Sequence, residues 1–543
     1  MDTTLTKEEL SRIYGKISPF EFKDKLISIA KKNKNKILDA GRGNPNWTAA
    51  TPREAFFTFG QFAVQETKRT WNISDLAGMV QKDGIAKRFK EFIELNNSAP
   101  GIELLRDIIN YGSSVLDFNE DNFIFELTDG IIGDNYPFPD RMLTHIEKIV
   151  HNYLMKELCQ NRNFESEFDV FAVEGGTAAM CYIFDSLVAN SLLNPGDKIA
   201  LMTPIFTPYL EIPHLPNYNF EVINIHANEV DAEGYSTFQF PKNELDKLKD
   251  TDIKVVFVVN PNNPASIALS DECKENLIDI VNNHNPNLMI ITDDVYCTFV
   301  DNFTSLIADL PYNTLAVYSF SKYFGVTGWR LGAIMLNQDN IYNKLLNELP
   351  SETKARLNER YTHLSLKPEA LPFIDRIVAD SRQVALNHTA GLSTPQQVQM
   401  AFFCAFALID TDNNYKSLTK EICKNRKKLL FNGLEMELRN QPHDAAYYTE
   451  LNLLDLAREK YENEFADYIE ANYRPLDIIY TLANNFSIIL LNGDGFASSE
   501  WSLRVSLANL NDDSYYIIGN SINQLLDNIA TKYTLTKKLK LSI

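Results

Sequence analysis

Positive charge is scarce in this chain: 52 lysines and arginines stand against 72 aspartates and glutamates, a net charge of −20 over 543 residues. A face that tracks nucleic-acid phosphates needs clustered Lys and Arg, so nucleic acid is not expected as a partner, and the short run Lys537–Lys540 is too small to change that. No uncharged stretch approaches the ~18 residues of a membrane helix. The opening MDTTLTKEELSRIYGK lacks the apolar core of a signal peptide, so export by a cleaved leader is not expected either. Six cysteines without a CxxC pair and eight histidines without an HxxxH set indicate neither a disulfide frame nor a zinc site. The expectation is a soluble cytoplasmic protein with reduced thiols and no metal. What the chain does have is apolar substance: it is 45% hydrophobic and 23% charged, the balance of a folded globular protein, and it is long enough to need more than one core.

From about Phe123 to Asn337, short apolar strands alternate with helical stretches, which predicts an α/β domain with a largely parallel sheet and helices on both faces. Residues 1–122 read as an N-terminal arm and part of a smaller domain, 123–337 as the large domain, and 338–543 as a C-terminal part that carries the rest of the smaller one. No internal repeat or low-complexity segment interrupts this.

Four strand ends in that plan carry chemistry. The run Thr314–Phe320 predicts a buried strand, and SFSKYFGVTGWRLG (Ser319 to Gly332) places Lys322 where it ends. Open α/β sheets bind ligands at the carboxyl ends of their strands, and a desolvated amine there forms a Schiff base readily. Ser319, Ser321 and Arg330 offer hydroxyls and a planar cation for a phosphate, and a phosphate beside an imine-forming lysine points to pyridoxal phosphate. Upstream, FAVEGGTAAM runs a strand into Gly175, Gly176 and Thr177 at a helix start, where backbone N–H groups attract an anion. VVFVVNPNNP breaks a strand into a turn at Asn263, and LMIITDDVYCTF ends one in Asp293, Asp294 and Tyr296. Taken singly, each also reads as ordinary structure: a solvated lysine, a tight ligand-free turn, a stiff loop, a strand-end acid.

SxSKxxxxxGxRxG resembles the cofactor-lysine segment of the fold-type I pyridoxal-phosphate enzymes, the aspartate aminotransferase superfamily. The resemblance implies a seven-stranded large domain and a smaller α/β domain built from both termini. It also implies that Lys322 carries the cofactor, that Ser319, Arg330 and the Gly175–Thr177 turn bind its phosphate, and that Asp293 pairs with the pyridine nitrogen. Asn263 and Tyr296 then reach the phenolic oxygen, Phe206 stacks on the ring, and Tyr136 reaches the phosphate from a neighbouring subunit. Asp294 is left as a solvated or helix-capping neighbour. The NPNNP segment departs from the family pattern in having Ala265 and Ser266 where Thr and Gly are usual.

Substrate carboxylates call for arginines. Arg504, inside the alternating apolar stretch WSLRVSLANL, is costly to bury unless paired, and it resembles the arginine that grips the substrate α-carboxylate. Arg42 in DAGRGNPNW and Arg382 in DSRQVALNHTAGLSTPQQ are further candidates. SPFEFKDKL, AGRGNPNW, GDNYPFPDRML, DSRQVALNHTAGLSTPQQVQM and SLRVSLANL together look like the aspartate 4-decarboxylases, over about Ser18 to Leu510. That resemblance implies conversion of L-aspartate to L-alanine and CO2, an aspartate aminotransferase side activity with 2-oxo acids, and a homo-oligomer, a dimer at least and up to a dodecamer of dimers. Arg42 or Arg382 would then meet the β-carboxylate and set the ratio of the two outcomes. The alternative is a plain aspartate or aromatic-type aminotransferase.

Overall fold

The structure is a computed structural model that describes residues 19–32, 36–73, 77–384, 386 and 390–541. The arm before residue 19 and part of the DSRQVALNHTAG segment lie outside the described residues.

Seven strands form the central sheet: β1 (Phe168–Val173), β2 (Lys198–Thr203), β3 (Glu221–His226), β4 (Ile253–Val259), β5 (Met289–Asp293), β6 (Thr314–Ser319) and β7 (Gly332–Asn337). Their spatial order is β1-β7-β6-β5-β4-β2-β3. Strands β3, β2, β4, β5 and β6 pair in parallel, and β7 runs antiparallel to both β6 and β1. Parallel sheets are covered on both faces, and β4, β5 and β6 accordingly read as unbroken apolar runs in which every residue but Lys254 is buried. All strands except β7 therefore end at one edge, at Val173, Thr203, His226, Val259, Asp293 and Ser319. The expected mostly parallel sheet is the one observed.

The helices Ala50–Thr70, Ile102–Ser114, Glu120–Ile132, Thr144–Cys159 and Thr394–Ile409 pack on one another beside this sheet. Residue 122, expected to end the first segment, lies inside the helix Glu120–Ile132. The helices on either side of that boundary thus share one layer, and the segment 50–114 belongs to it. What the N-terminal region gives the smaller domain is the helix Pro19–Ala30, packed on Pro475–Phe486, and the strand Leu38–Asp39, paired in parallel with Ile488–Ile489.

The smaller domain holds a second sheet of β8 (Tyr448–Asn452), β9 (Leu491–Asn492) and β10 (Ser502–Ser506), with β10 central and antiparallel to both neighbours. Strand β10 is wholly buried and sets Arg504 opposite Glu450 and Leu491. Among the described residues no helix is long and apolar enough to cross a membrane, and no group of three or more His, Cys, Asp or Glu could hold a metal ion.

Candidate active site

A cavity of about 290 Å³ opens at the carboxyl ends of the parallel strands, bounded on its far side by β8 and β10. Its wall includes Gly176, Thr177, Phe206, Asn263, Asp293, Tyr296, Ser319, Lys322, Arg330 and Arg504. Five separate strand ends, those of β1, β2, β4, β5 and β6, and the smaller domain thus contribute to one space.

Lys322 lies just past β6, and its Nζ donates to the Gly43 carbonyl at 3.0 Å. Burial lowers the pKa of this amine; Arg504 and Arg330 push the same way, while Tyr448 and Asp293 oppose them. Arg330 sits in the left-handed region at φ +56 and donates to the Thr327 carbonyl at 3.0 Å. The glycines of the segment have a steric reason. A Cβ on Gly332 would lie 2.6 Å from the Gly175 carbonyl carbon, and one on Gly175, itself at φ +90, would lie 2.5 Å from Arg330 Nη2. The close approach of β7 to the β1 turn therefore delivers the Arg330 guanidinium to the start of the helix Gly176–Ala189, which has no side-chain cap. Uncapped N–H groups and a guanidinium at one point make an anion site.

Asp293 ends β5. Burial raises its carboxyl to about 6, although the Val295 amide and the Tyr209 hydroxyl each donate to it at 3.3 Å and Lys322 lies nearby. Asp294 corrects an expectation: it is neither solvated nor a helix cap but has 0% exposure. Successive side chains of a strand point to opposite faces, so the residue after Asp293 turns away from the cavity into the interior. There it accepts from Thr292 Oγ1 at 2.8 Å and from Ser305 Oγ at 2.5 Å. Burial pushes its carboxyl up to about 7, with Asp293 adding to the rise.

The loop after β4 is held by two of its asparagines: Asn260 accepts from the Leu269 amide and Asn262 from the Ile267 amide, each at 3.0 Å. Asn263 is left to the cavity, where its Oδ1 accepts from Arg504 Nη1 at 3.1 Å. Arg504 is 1% exposed and also donates to the Gly41 carbonyl at 2.7 Å. Its guanidinium carbon lies 4.3 Å from the Tyr448 ring centroid and 4.9 Å from that of Phe496, so the planar cation is held between two aromatic faces. Tyr296 donates to the Tyr448 hydroxyl at 3.1 Å, and burial holds its own hydroxyl protonated, well above the usual phenol range.

Four named candidates stand outside the cavity wall. Gly175 directly precedes the lining Gly176 but is not itself on the wall. Tyr136 is 75% exposed, away from the cavity of its own chain. Arg42 pairs with Asp39 at 3.0 Å and its side chain is 58% exposed. Arg382 is 2% exposed; it donates to the Asp140 carbonyl at 2.6 Å and pairs with the Asp140 carboxylate at 3.2 Å. Conversely, Gly43, Asn44, Thr327 and Tyr448 line the wall without having been singled out. Gly43 and Asn44 are neighbours of Arg42 in AGRGNPNW, which was the available signal; AAYYTELN reads as an ordinary strand start.

Residues 149–518 match the family described as aminotransferase class I and II. The chain is 43% identical, over 96% of its length and 98% of the relative's, to a bifunctional aspartate aminotransferase and L-aspartate beta-decarboxylase from a Pseudomonas species. The chain belongs to this aminotransferase family. A second relative, an aspartate aminotransferase from Pyrococcus horikoshii, is 23% identical over 49% of the chain and 63% of its own length. Among solved structures, a double mutant of the Thermus thermophilus aspartate aminotransferase superposes with a TM-score of 0.59 at 14% identity, covering 97% of this chain and all of the other, which shows the shared fold. Pyridoxal phosphate is the cofactor of the family, and the cavity fits it. The uncapped helix start and Arg330 suit its phosphate, the Lys322 amine its aldehyde, and the buried Asp293, hydrogen-bonded only by neutral donors, its cationic ring nitrogen.

Proposed function

We propose that this chain converts L-aspartate to L-alanine and CO2 with pyridoxal phosphate, and that it also transfers the amino group of aspartate to 2-oxo acids. The observation that carries this reading is the single cavity in which an amine of lowered pKa, Lys322, shares the wall with a buried, aromatic-clamped guanidinium, Arg504. The near full-length likeness to the bifunctional Pseudomonas enzyme supports it.

Arg504 takes the α-carboxylate, since a guanidinium fixed in plane by Asn263, Gly41 and two rings offers paired donors without further ordering. Lys322 would hold the cofactor aldehyde and, as a free amine, would serve as general base at the substrate α-carbon; its lowered pKa favours the uncharged form. When bound, pyridoxal phosphate supplies the electron sink that lets a proton or CO2 depart from the substrate. Asp293 would keep the ring nitrogen protonated, Tyr296 and the Asn263 amide would donate to the phenolic oxygen, and Phe206 would lie against the ring. Ser319, Gly176, Thr177 and Arg330 hold the phosphate, joined by Tyr136 of a neighbouring subunit in a homodimer or larger assembly.

The β-carboxylate is where the two outcomes part. Among the described residues, the cations on the cavity wall are Lys322, Arg330 and Arg504. With Arg330 given to phosphate and Arg504 to the α-carboxylate, the second carboxylate is left without a tight guanidinium pair, since the neighbouring Arg42 is exposed and faces Asp39. A paired β-carboxylate is stabilised in its ground state and resists loss of CO2; an unpaired, partly desolvated one does not. The test is incubation of the purified protein with L-aspartate alone and with a 2-oxo acid. Alanine and CO2 from aspartate alone meet the proposal, whereas amino transfer only with the acceptor, and no CO2, would leave a plain aminotransferase.

A further inference from the structure

Tyr448, at the head of β8, is 2% exposed, and so far it has served only as one of the two rings beside Arg504. Its backbone is tethered by an unusual residue. Ser266 stands where the family's segment has glycine, and it adopts φ +66, a conformation that favours glycine. What the serine adds is a hydroxyl: Ser266 Oγ accepts from the Tyr448 amide at 2.9 Å, while the Ser266 amide and carbonyl are themselves bonded to Asn262 and Ala445. The residue that departs from the family pattern is thus the one that fixes Tyr448.

From that anchor the side chain reaches two functional groups. The hydroxyl meets the Tyr296 hydroxyl at 3.1 Å, and the ring face lies 4.3 Å from the Arg504 guanidinium carbon. On the open side a Cβ at Gly43 would stand 2.4 Å from the hydroxyl, so the loop presses the ring into place. The titratable and charged groups around the two phenols are Lys322, Asp293, Arg504 and Tyr447, whose ring centroid is 5.0 Å from each phenol's.

We propose that Tyr448 is a positioning residue that ties the cofactor end of the site to the substrate end. Its hydroxyl supports the Tyr296 hydroxyl, and its ring fixes the plane of Arg504, so one side chain of the smaller domain orients both. The proposal rests on the cofactor reading given above. With Tyr296 donating to the cofactor's phenolic oxygen, the Tyr448 hydroxyl becomes the donor to Tyr296, and hydrogen bonds in such a chain strengthen one another. Removing it weakens the donation to the phenolic oxygen and raises the pH at which the cofactor's visible band titrates.

The experiment compares holoenzymes of the parent, Tyr448→Phe and Tyr448→Leu by pH titration of the visible absorbance and by the spectral change on adding succinate, a dicarboxylate without an amine. The phenylalanine variant should raise the absorbance midpoint by roughly 0.4–1 pH unit, the size of one net hydrogen bond, and bind succinate within about twofold of the parent. The leucine variant should show the same shift and bind succinate about fivefold more weakly, having lost the face under Arg504. A phenylalanine variant whose midpoint is unchanged or lowered overturns the role given to the hydroxyl, and it does so even if the leucine variant fails to fold. A parent protein with no lysine-bound chromophore at Lys322 would overturn the cofactor reading and this proposal with it.

Discussion

Lys322 and Gly43, 279 positions apart, meet across the mouth of the cavity: the Lys322 amine donates to the Gly43 carbonyl at 3.0 Å. The same carbonyl accepts from the Tyr447 hydroxyl at 2.7 Å. A Cβ on Gly43 would lie 3.2 Å from Lys322 Nζ and 2.4 Å from the Tyr448 hydroxyl. Gly43→Ala therefore needs no change of backbone region, yet it must displace groups that the site uses. Turnover with aspartate should fall by at least about tenfold while thermal stability drops only modestly, since the crowding is at a cavity wall instead of in a packed core. Full activity in this variant would show that the loop moves aside freely.

On the proposed mechanism, Lys322→Ala removes both the cofactor's covalent partner and the general base. Borohydride reduction of the parent should leave the cofactor on a peptide containing Lys322, and the variant should lose alanine formation and transamination alike by at least the ~10²- to 10⁴-fold typical of a missing base. Near-normal turnover would take Lys322 out of the mechanism.

Arg504→Ala leaves Asn263 Oδ1 and the Gly41 carbonyl without their donor and, on the proposed mechanism, the α-carboxylate without its partner. Both activities should lose efficiency together, by a free energy of roughly 2–5 kcal/mol in kcat/KM, because both depend on the substrate's being held by the same carboxylate. Unchanged aspartate kinetics would contradict this assignment.

Much of this arrangement is legible in the chain because each strand end joins a β-branched or aromatic run to a cluster of turn residues, and a parallel sheet brings such ends to one edge whatever their separation in sequence. The limits are equally physical. Asp293 and Asp294 are adjacent acids in the sequence, and only the pleat of β5 sends one to the cavity and the other to the interior. Tyr448 carries no signal in YYTEL, because its place follows from contacts with Tyr296, 152 positions earlier, and with Arg504 on the neighbouring strand β10. Arg382 has the look of a substrate ligand in sequence, yet its burial is spent on Asp140.

That placement separates the two arginines considered for the β-carboxylate. Arg42 adjoins the cavity-lining Gly43 and is held only by Asp39, a pair with an exposed guanidinium that is worth little. If Arg42 turns inward over bound substrate, Arg42→Ala should change the ratio of alanine to oxaloacetate instead of scaling both. Arg382→Ala should lower stability by leaving the Asp140 loop without its buried partner, and any loss of activity should preserve the ratio. Product analysis of the two variants decides the matter: a preserved ratio in Arg42→Ala, or an altered one in Arg382→Ala, would reverse these assignments.

Asp294 makes the fold itself sensitive to pH. Its carboxyl titrates near 7 in the folded chain because of burial, against about 3.9 when unfolded. Between those values the folded state holds a proton that the unfolded state has released. This contribution is therefore complete at low pH and lost as pH rises toward 7, at up to about 1.4 kcal/mol per pH unit. Asparagine in its place cannot ionise, and it can still pair with the Thr292 and Ser305 hydroxyls, which rotate to suit. Asp294→Asn should thus be no less stable than the parent at pH 8, and its stability should fall less between pH 5 and pH 8. Denaturant unfolding of the two cofactor-free proteins across that range makes the comparison, with Asp293 common to both. Parallel profiles would mean that Asp294 is ionised throughout and that its two hydroxyl donors outweigh its burial.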